Sequence, residues 1–283
     1  MLAKRLPSIL PDMTIEESLE VSKIYSIVGL TSQEIPLIET RPFRNPHHTI
    51  TMASLIGGGK NPKPGEISLA HLGILFLDEL AEFKKETLEL LRGPLEEKKV
   101  IINRLNASII YPCNFMFIAS MNPCPCGYYG SEYKECTCNN EQIKKYLGKI
   151  SGPLLDRIDI HIEVKNVKYQ QLNNNNPEEK SEIIKKRVNK ARKIQTERYK
   201  KENIYSNSEL TQNLINKYCK INNTSKILLE QAFNKLGLTA RAHSRILKVA
   251  RTIADLEEKE EITEEHIAEA IQYRSLDRKY WNK

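Results

Sequence analysis

Nowhere does this sequence run to the roughly 18 consecutive apolar residues of a membrane-crossing helix, so no such span is expected. Its opening, Met1-Leu-Ala-Lys-Arg-Leu-Pro7, has no long apolar core and no small-residue cleavage site, which leaves no export signal to read. A cytoplasmic protein is therefore the expectation. Ser/His/Asp catalysis has no local signature to support it. The adjacent His47 and His48 lie in an Arg/Pro/Asn loop and read as structural or interface residues, since neighbouring histidines rarely share one metal. The phosphate-binding loop Gly-x-x-x-x-Gly-Lys-[Ser/Thr] is also absent. Gly57-Gly58-Gly59-Lys60 imitates its end, but Asn61 follows the lysine and no strand–loop–helix pattern surrounds it.

What is present is enough for a folded protein. With 283 residues, 40% of them apolar, the chain has the length for one large or two ordinary domains and the material for a core. Its net charge is +7, with many Lys and Arg between 144 and 201. Such a balance permits a polyanion partner such as nucleic acid, and equally a solvated basic helix face.

Along the chain, 1–10 reads as a helix ended by Pro11, and 14–28 as a helix capped by Thr14 with Glu17 three residues on. Residues 41–66 are loop-rich. An unbroken apolar run predicts a strand over 74–78, buried on both faces of a parallel sheet. A helix over about 84–92 follows, then a hairpin over 99–111 turning near Asn103–Asn106. Residues 114–120 form a second buried strand, and alternation over 158–164 predicts another. Four consecutive asparagines at 173–176 mark a linker over 166–180, and a basic helix spans about 178–200. Residues 208–274 read as three or four helices. The fold class is therefore α/β, a parallel sheet core over 1–165, then linker and basic helix over 166–205, then an all-helical part over 206–283.

The strand over 74–78 breaks off into Asp78 and Glu79. A parallel strand delivers its last residues to the carboxyl edge, where open α/β sheets bind ligands. There an aspartate can hold Mg²⁺ through oxygen and its neighbour can orient or deprotonate a water beside a phosphate. A core strand running into an acidic helix start has the same pattern. Asn122 closes the strand over 114–120; beside Asp78 it would reach a water or a γ-phosphate oxygen, and taken alone it is turn chemistry before Pro123. Arg157 suits either developing phosphate charge or a local pair with Asp156 or Asp159. Arg241, at the start of a helix with Ile246, Leu247, Ala250 and Ile253 as its core stripe, suits either a nucleotide or solvent.

Cys124 and Cys126, then Cys136 and Cys138, make two close pairs nine residues apart. Four thiolates fill a tetrahedral Zn²⁺ site and would make it structural, although one residue within each pair is tighter than the usual two to four. Surface thiols are the alternative. Cys113 and Cys219 stand alone and read as small buried hydrophobes.

Longer strings carry a resemblance. Arg41-Pro-Phe-Arg-Asn-Pro-His-His-Thr49, Gly65-Glu-Ile-Ser-Leu-Ala-His-Leu-Gly-Ile-Leu-Phe-Leu-Asp-Glu-Leu80, Met121-Asn-Pro-Cys-Pro-Cys-Gly127 and the tail from Leu238 to Leu256 resemble the magnesium-chelatase-like AAA+ family, and within it the bacterial competence branch. The likeness covers essentially the whole chain. It implies an ATPase with an AAA+ core and a helical lid, working as a ring hexamer on DNA in branch migration. It implies that Asp78 ligates Mg²⁺, Glu79 activates water, Asn122 senses the γ-phosphate, Arg157 acts as a finger in trans and Arg241 is the second sensor. The hairpin with Lys98, Lys99 and Arg104 matches an insertion facing the ring pore, where basic residues would track DNA phosphates.

The same resemblance places the missing phosphate loop, and the strand feeding it, just before Met1. That strand is central in the implied sheet order 5-1-4-3-2. The chain alone is expected to expose strand edges and to be poorly folded or inactive. A non-catalytic, zinc-stapled module that binds DNA or partner subunits is the second expectation. A magnesium-chelatase subunit acting on a porphyrin ranks third.

Overall fold

The structure, a computed structural model, describes residues 2–34, 36–59, 61–104, 107–164 and 179–274. The chain forms two compact units, Met1–Pro7 with Asp12–Arg157, and Ser8–Pro11 with Ile158–Lys283. No helix among the described residues is long and apolar enough to cross a membrane.

The first residues depart from the expected α-helix. Ala3–Ile9 is a 3₁₀ helix with Pro7 inside it. A proline there has no N–H for an i→i−4 bond and crowds the carbonyl four residues back, so the tighter, shorter helix forms instead. Helix α1 (Ile15–Ile27) follows the sequence expectation. Glu17 donates its N–H to Thr14 Oγ1 at 3.2 Å and accepts from the Thr14 N–H at 3.0 Å, a complete capping box.

Strand β1 (Phe43–Arg44) leads to the short helix α2 (Met52–Ile56), which Thr51 caps. The glycine-rich stretch then becomes β2 (Gly57–Gly58), paired antiparallel with β3 (Lys63–Pro64). A helix precedes these glycines and a strand follows them, so they do not form a phosphate loop; Lys60 lies outside the described residues. Helix α3 (Glu66–Leu69) precedes β4 (Ile74–Leu77), whose four residues are all buried.

Gly73 sets how closely β4 approaches β1. A methyl group on it would sit 2.1 Å from the Pro42 carbonyl oxygen, and that oxygen accepts the Ile74 N–H at 2.7 Å. Both contacts are main chain and cannot swing away. Gly73→Ala is expected to cost about 3 kcal/mol, the upper end of overpacking costs; thermal unfolding of the variant checks this.

The helix expected over 84–92 is two pieces, α4 (Lys85–Glu89) and α5 (Arg92–Glu97). Pro94 explains the restart, because it fits a first helical turn and not the interior of one long helix. The hairpin β5 (Lys99–Arg104) and β6 (Ala107–Pro112) is antiparallel, with Lys99 opposite Pro112 and Arg104 opposite Ala107. Its turn residues 105 and 106 lie outside the described residues. Val100, Ile102 and Tyr111 face inward, while Ile101 and Ile110 face solvent. Strand β7 (Met116–Ala119) pairs parallel with β4, Leu77 opposite Ala119, giving the sheet order β1-β4-β7. Helices α6 (Asn140–Leu147) and α7 (Gly152–Leu155) complete this unit.

One expected strand is not formed. Residues 158–164 have no strand structure, and Ile160, Ile162 and Val164 are exposed. Among the described residues no strand pairs with this segment. Alternation alone does not hold a strand without a ladder to join.

The second unit is helical: α8 (Ser181–Arg198), α9 (Gln212–Tyr218), α10 (Asn223–Leu236), α11 (Ala240–Leu256) and α12 (Glu264–Gln272). The basic helix and the four later helices stand where the sequence places them; the asparagine-rich linker, 165–178, lies outside the described residues. Tyr199, Leu229, Ile246, Ala250 and Ile267 belong to one buried cluster. Beside it lies a buried polar knot. Asp255, fully buried, accepts from Arg198 Nη1 and Nη2 at 2.9 and 2.5 Å, from Arg251 Nε at 3.1 Å and from Asn207 Nδ2 at 2.8 Å.

Candidate functional site

The site begins where β4 leaves the core. Four buried apolar residues end at Leu77, and the next two, Asp78 and Glu79, are exposed at the carboxyl edge of the sheet. Asp78 is held in place. Its Oδ1 accepts the Ser120 hydroxyl and, at 3.2 Å, the Glu79 N–H. Ser120 also takes the Leu80 N–H on its carbonyl at 2.8 Å and donates its own N–H to the Leu77 carbonyl at 3.1 Å, so three bonds tie the ends of β4 and β7 together. Ser120 was not singled out from sequence; its place directly after an apolar strand is the signal that finds it.

Glu79 adopts a left-handed backbone, φ 53° and ψ 51°. This region is uncommon for a residue with a side chain, and at functional sites such strain is tolerated because the surroundings impose it. Its side chain is 61% exposed and lies 3.8 Å from His48 Nδ1, which pairs with it when protonated. The His48 ring meets Phe83 edge-on and lies against His47. Sequence reasoning gave this histidine pair a structural or interface role; the fold brings His48 to the acidic edge.

Asn122 stands three residues beyond Ala119, the register partner of Leu77, and is exposed on the same edge. The Tyr146 phenol lies beside its main chain, and burial raises the pKa of that phenol. Asp78, Glu79 and Asn122 thus share one edge of one sheet.

The two arginines are placed differently. Arg157 follows α7, whose Ser151 cap accepts the Leu154 N–H. Its side chain is only 8% exposed and pairs through Nη2 with Glu96 of α5, while Nη1 donates to the Pro153 carbonyl at 2.7 Å. Sequence offered Asp156 or Asp159 as a local partner, beside a phosphate role; the fold adds a carboxylate from 61 positions away. Arg241 is exposed at the second position of α11, in the helical unit. Lys98 ends α5 with a left-handed backbone and Lys99 opens the hairpin, 3.8 Å from Glu97. Arg104 ends β5, and its side chain lies outside the described residues.

The four clustered cysteines converge. Sγ of Cys124 lies 3.4 Å from that of Cys126 and 3.7 Å from that of Cys136; Cys126 and Cys136 are 3.5 Å apart. All four sulfurs fall within 4.8 Å of one another. A disulfide needs about 2.05 Å, so these are free thiols. Four sulfurs around one metal at about 2.3 Å are spaced about 3.8 Å apart, close to what is seen, so the set fits a metal ion. The Tyr128 N–H, with that of Thr137, points at Cys126 and draws its thiol down to about 5. By contrast, burial pushes Cys113 up to about 12 and Cys219 up to about 11, as inert core thiols.

Residues 1–172 match the family described as magnesium chelatase, subunit ChlI, and residues 178–274 match its C-terminal family, magnesium chelatase, subunit ChlI C-terminal. The chain is 46% identical over 279 residues to "Competence protein ComM" of Haemophilus influenzae, covering 98% of this chain and 53% of that protein. It is 43% identical over 279 residues to "Uncharacterized protein YifB" of Escherichia coli, covering 98% and 54%. Magnesium-chelatase subunit ChlI of Bigelowiella natans is 26% identical over 136 residues, 48% of this chain and 29% of that one. The chain spans about half the length of the curated bacterial relatives it matches.

Proposed function

Since this chain belongs to the magnesium-chelatase-like AAA+ family, of the ComM and YifB type, we propose that it forms the greater part of an ATP-hydrolysing motor acting on DNA. The observation that carries this reading is the Ser120–Asp78 bond. It binds two parallel strands so that a carboxylate pair and an asparagine sit on the edge where α/β sheets take ligands.

In this reading Asp78 offers hard oxygen donors to Mg²⁺, which neutralises phosphate charge. Glu79 takes a proton from the attacking water. Asn122 positions that water or the γ-phosphate, and Arg157 and Arg241 offset the charge that develops, Arg157 on the neighbouring subunit of a six-membered ring. Engaging a neighbour's phosphate requires Arg157 to leave Glu96, so the resting pair keeps the guanidinium in store. The four thiolates hold one structural Zn²⁺, which suits their spacing and soft donor set. Lys98 at the end of α5, with Lys99 and Arg104 at the two ends of β5, supplies the positive charge that follows the DNA backbone.

The test is DNA affinity across a salt series and DNA-stimulated ATP hydrolysis. For hydrolysis the chain is preceded by a phosphate-binding loop from a relative. Lys98, Lys99 and Arg104 changed together to Ala are expected to lower the salt slope by about one per lost phosphate contact and to remove the stimulation. Basal turnover is expected to persist. Unchanged DNA affinity would end the DNA reading of this hairpin.

A further inference from the structure

The cysteine loop leads back to the acidic edge at both ends. Cys124 comes two residues after Asn122. Gly127, at φ +82°, turns the chain so that its Cβ position lies 4.0 Å from Asn122 Cγ. The Tyr129 N–H reaches Cys124 Sγ at 3.4 Å. At the other end Cys138 abuts Asn139, which caps α6: Gln142 donates its N–H to Asn139 Oδ1 at 2.8 Å and accepts from the Asn139 N–H at 2.9 Å. Helix α6 then returns to its starting point, bringing the Tyr146 phenol to the Asn122 main chain. Just beyond α6, Lys149 donates to the Ala81 carbonyl at 2.7 Å and lies 3.8 Å from Glu82, three and four residues past Asp78.

We propose that the four-cysteine centre is a metal-dependent clamp for Asn122: one Zn²⁺ closes the circuit from Asn122 through α6 and fixes the end of β7 beside Asp78. The proposal rests on the zinc reading above and not on nucleotide binding. Without the ion, the two cysteine pairs meet through thiol contacts and a few backbone N–H groups on sulfur, which are weak. With it, four strong bonds close a loop whose two ends are both structural neighbours of the acidic edge. Asn122 is then a residue whose position depends on the metal, and the cysteines are positioning residues that touch no substrate.

The experiment uses the intact chain and needs no nucleotide. Metal content is measured by mass spectrometry, and backbone amide exchange is followed before and after zinc is withdrawn from folded protein with a chelator. One zinc per chain is expected. On withdrawal, exchange over 120–126 and 139–147 is expected to rise at least about tenfold, the size of a lost local constraint of about 1.4 kcal/mol. Exchange in β4 and in α11 should stay as it was. Cys136→Ser with Cys138→Ser is expected to reproduce the pattern. Absence of zinc would overturn both the zinc reading and the clamp. Zinc that can be removed without any change at 120–126 would overturn the clamp alone. A rise across the whole chain would make the centre a general folding staple and overturn it too.

Discussion

Asp255→Ala is expected to destabilise the helical unit by about 3–5 kcal/mol, the cost of removing one partner from a buried ion pair. Asp255 is fully buried and accepts from Arg198, Arg251 and Asn207. Burial pushes the Arg251 pKa down, and the Asp255 carboxylate is the leading influence that opposes it. Without that carboxylate, Arg251 keeps its carbonyl partners, Glu260 and Lys259 at 2.6 Å each, but has lost its nearest negative charge. Arg198 loses a two-pronged partner at the same stroke. Because whole domains hold only about 5–15 kcal/mol, this single change should remove a large share of the margin. Urea unfolding, with amide exchange over α11 as the local readout, checks it. Asp255→Asn keeps the shape and one acceptor but not the charge, and should fall between the two. A loss below about 1 kcal/mol for the alanine variant would mean that the knot is not essential to the fold.

The second large effect falls at Glu79. Glu79→Gln preserves length and most hydrogen bonding while removing the base, so ATP turnover should drop about 10²–10⁴-fold. Affinity for Mg²⁺–nucleotide should stay within about threefold, because binding a ground state does not need the base. The assay uses the chain preceded by a relative's phosphate-binding loop, with single-turnover kinetics separating binding from chemistry. Asp78→Asn provides the contrast, since it should weaken the dependence of binding on Mg²⁺. Turnover that survives Glu79→Gln within a factor of two would remove Glu79 from the chemistry and return the acidic edge to a purely structural role.

Local patterns in the sequence were good guides to local structure. Thr14 and Glu17 are three residues apart, and their capping box depends on nothing else. The buried strand at 74–77 declares itself because four apolar residues without alternation need cover on both faces. The cysteine cluster is readable for the same reason, since two close pairs separated by a short glycine-containing loop can return to one point. Contacts between distant residues were not legible. Glu96 as the partner of Arg157, Ser120 as the donor to Asp78 and His48 beside Glu79 all depend on how separate elements meet. The expected strand over 158–164 failed because a strand is a pairwise structure, and alternation reports only one member of the pair. The Asp255 knot went unseen because Arg and Asp four residues apart on a helix more often face water than each other in a core.

Strand β7 pairs on one side only, with β4, among the described residues, and Met116 on it is 49% exposed. Ile160, Ile162 and Val164 are likewise open to solvent. The open side of β7 is a ready template for a strand from another molecule. Crowding rather than heat is then the hazard for a stored solution of this chain, because encounters between molecules grow with the square of concentration while each fold stays intact.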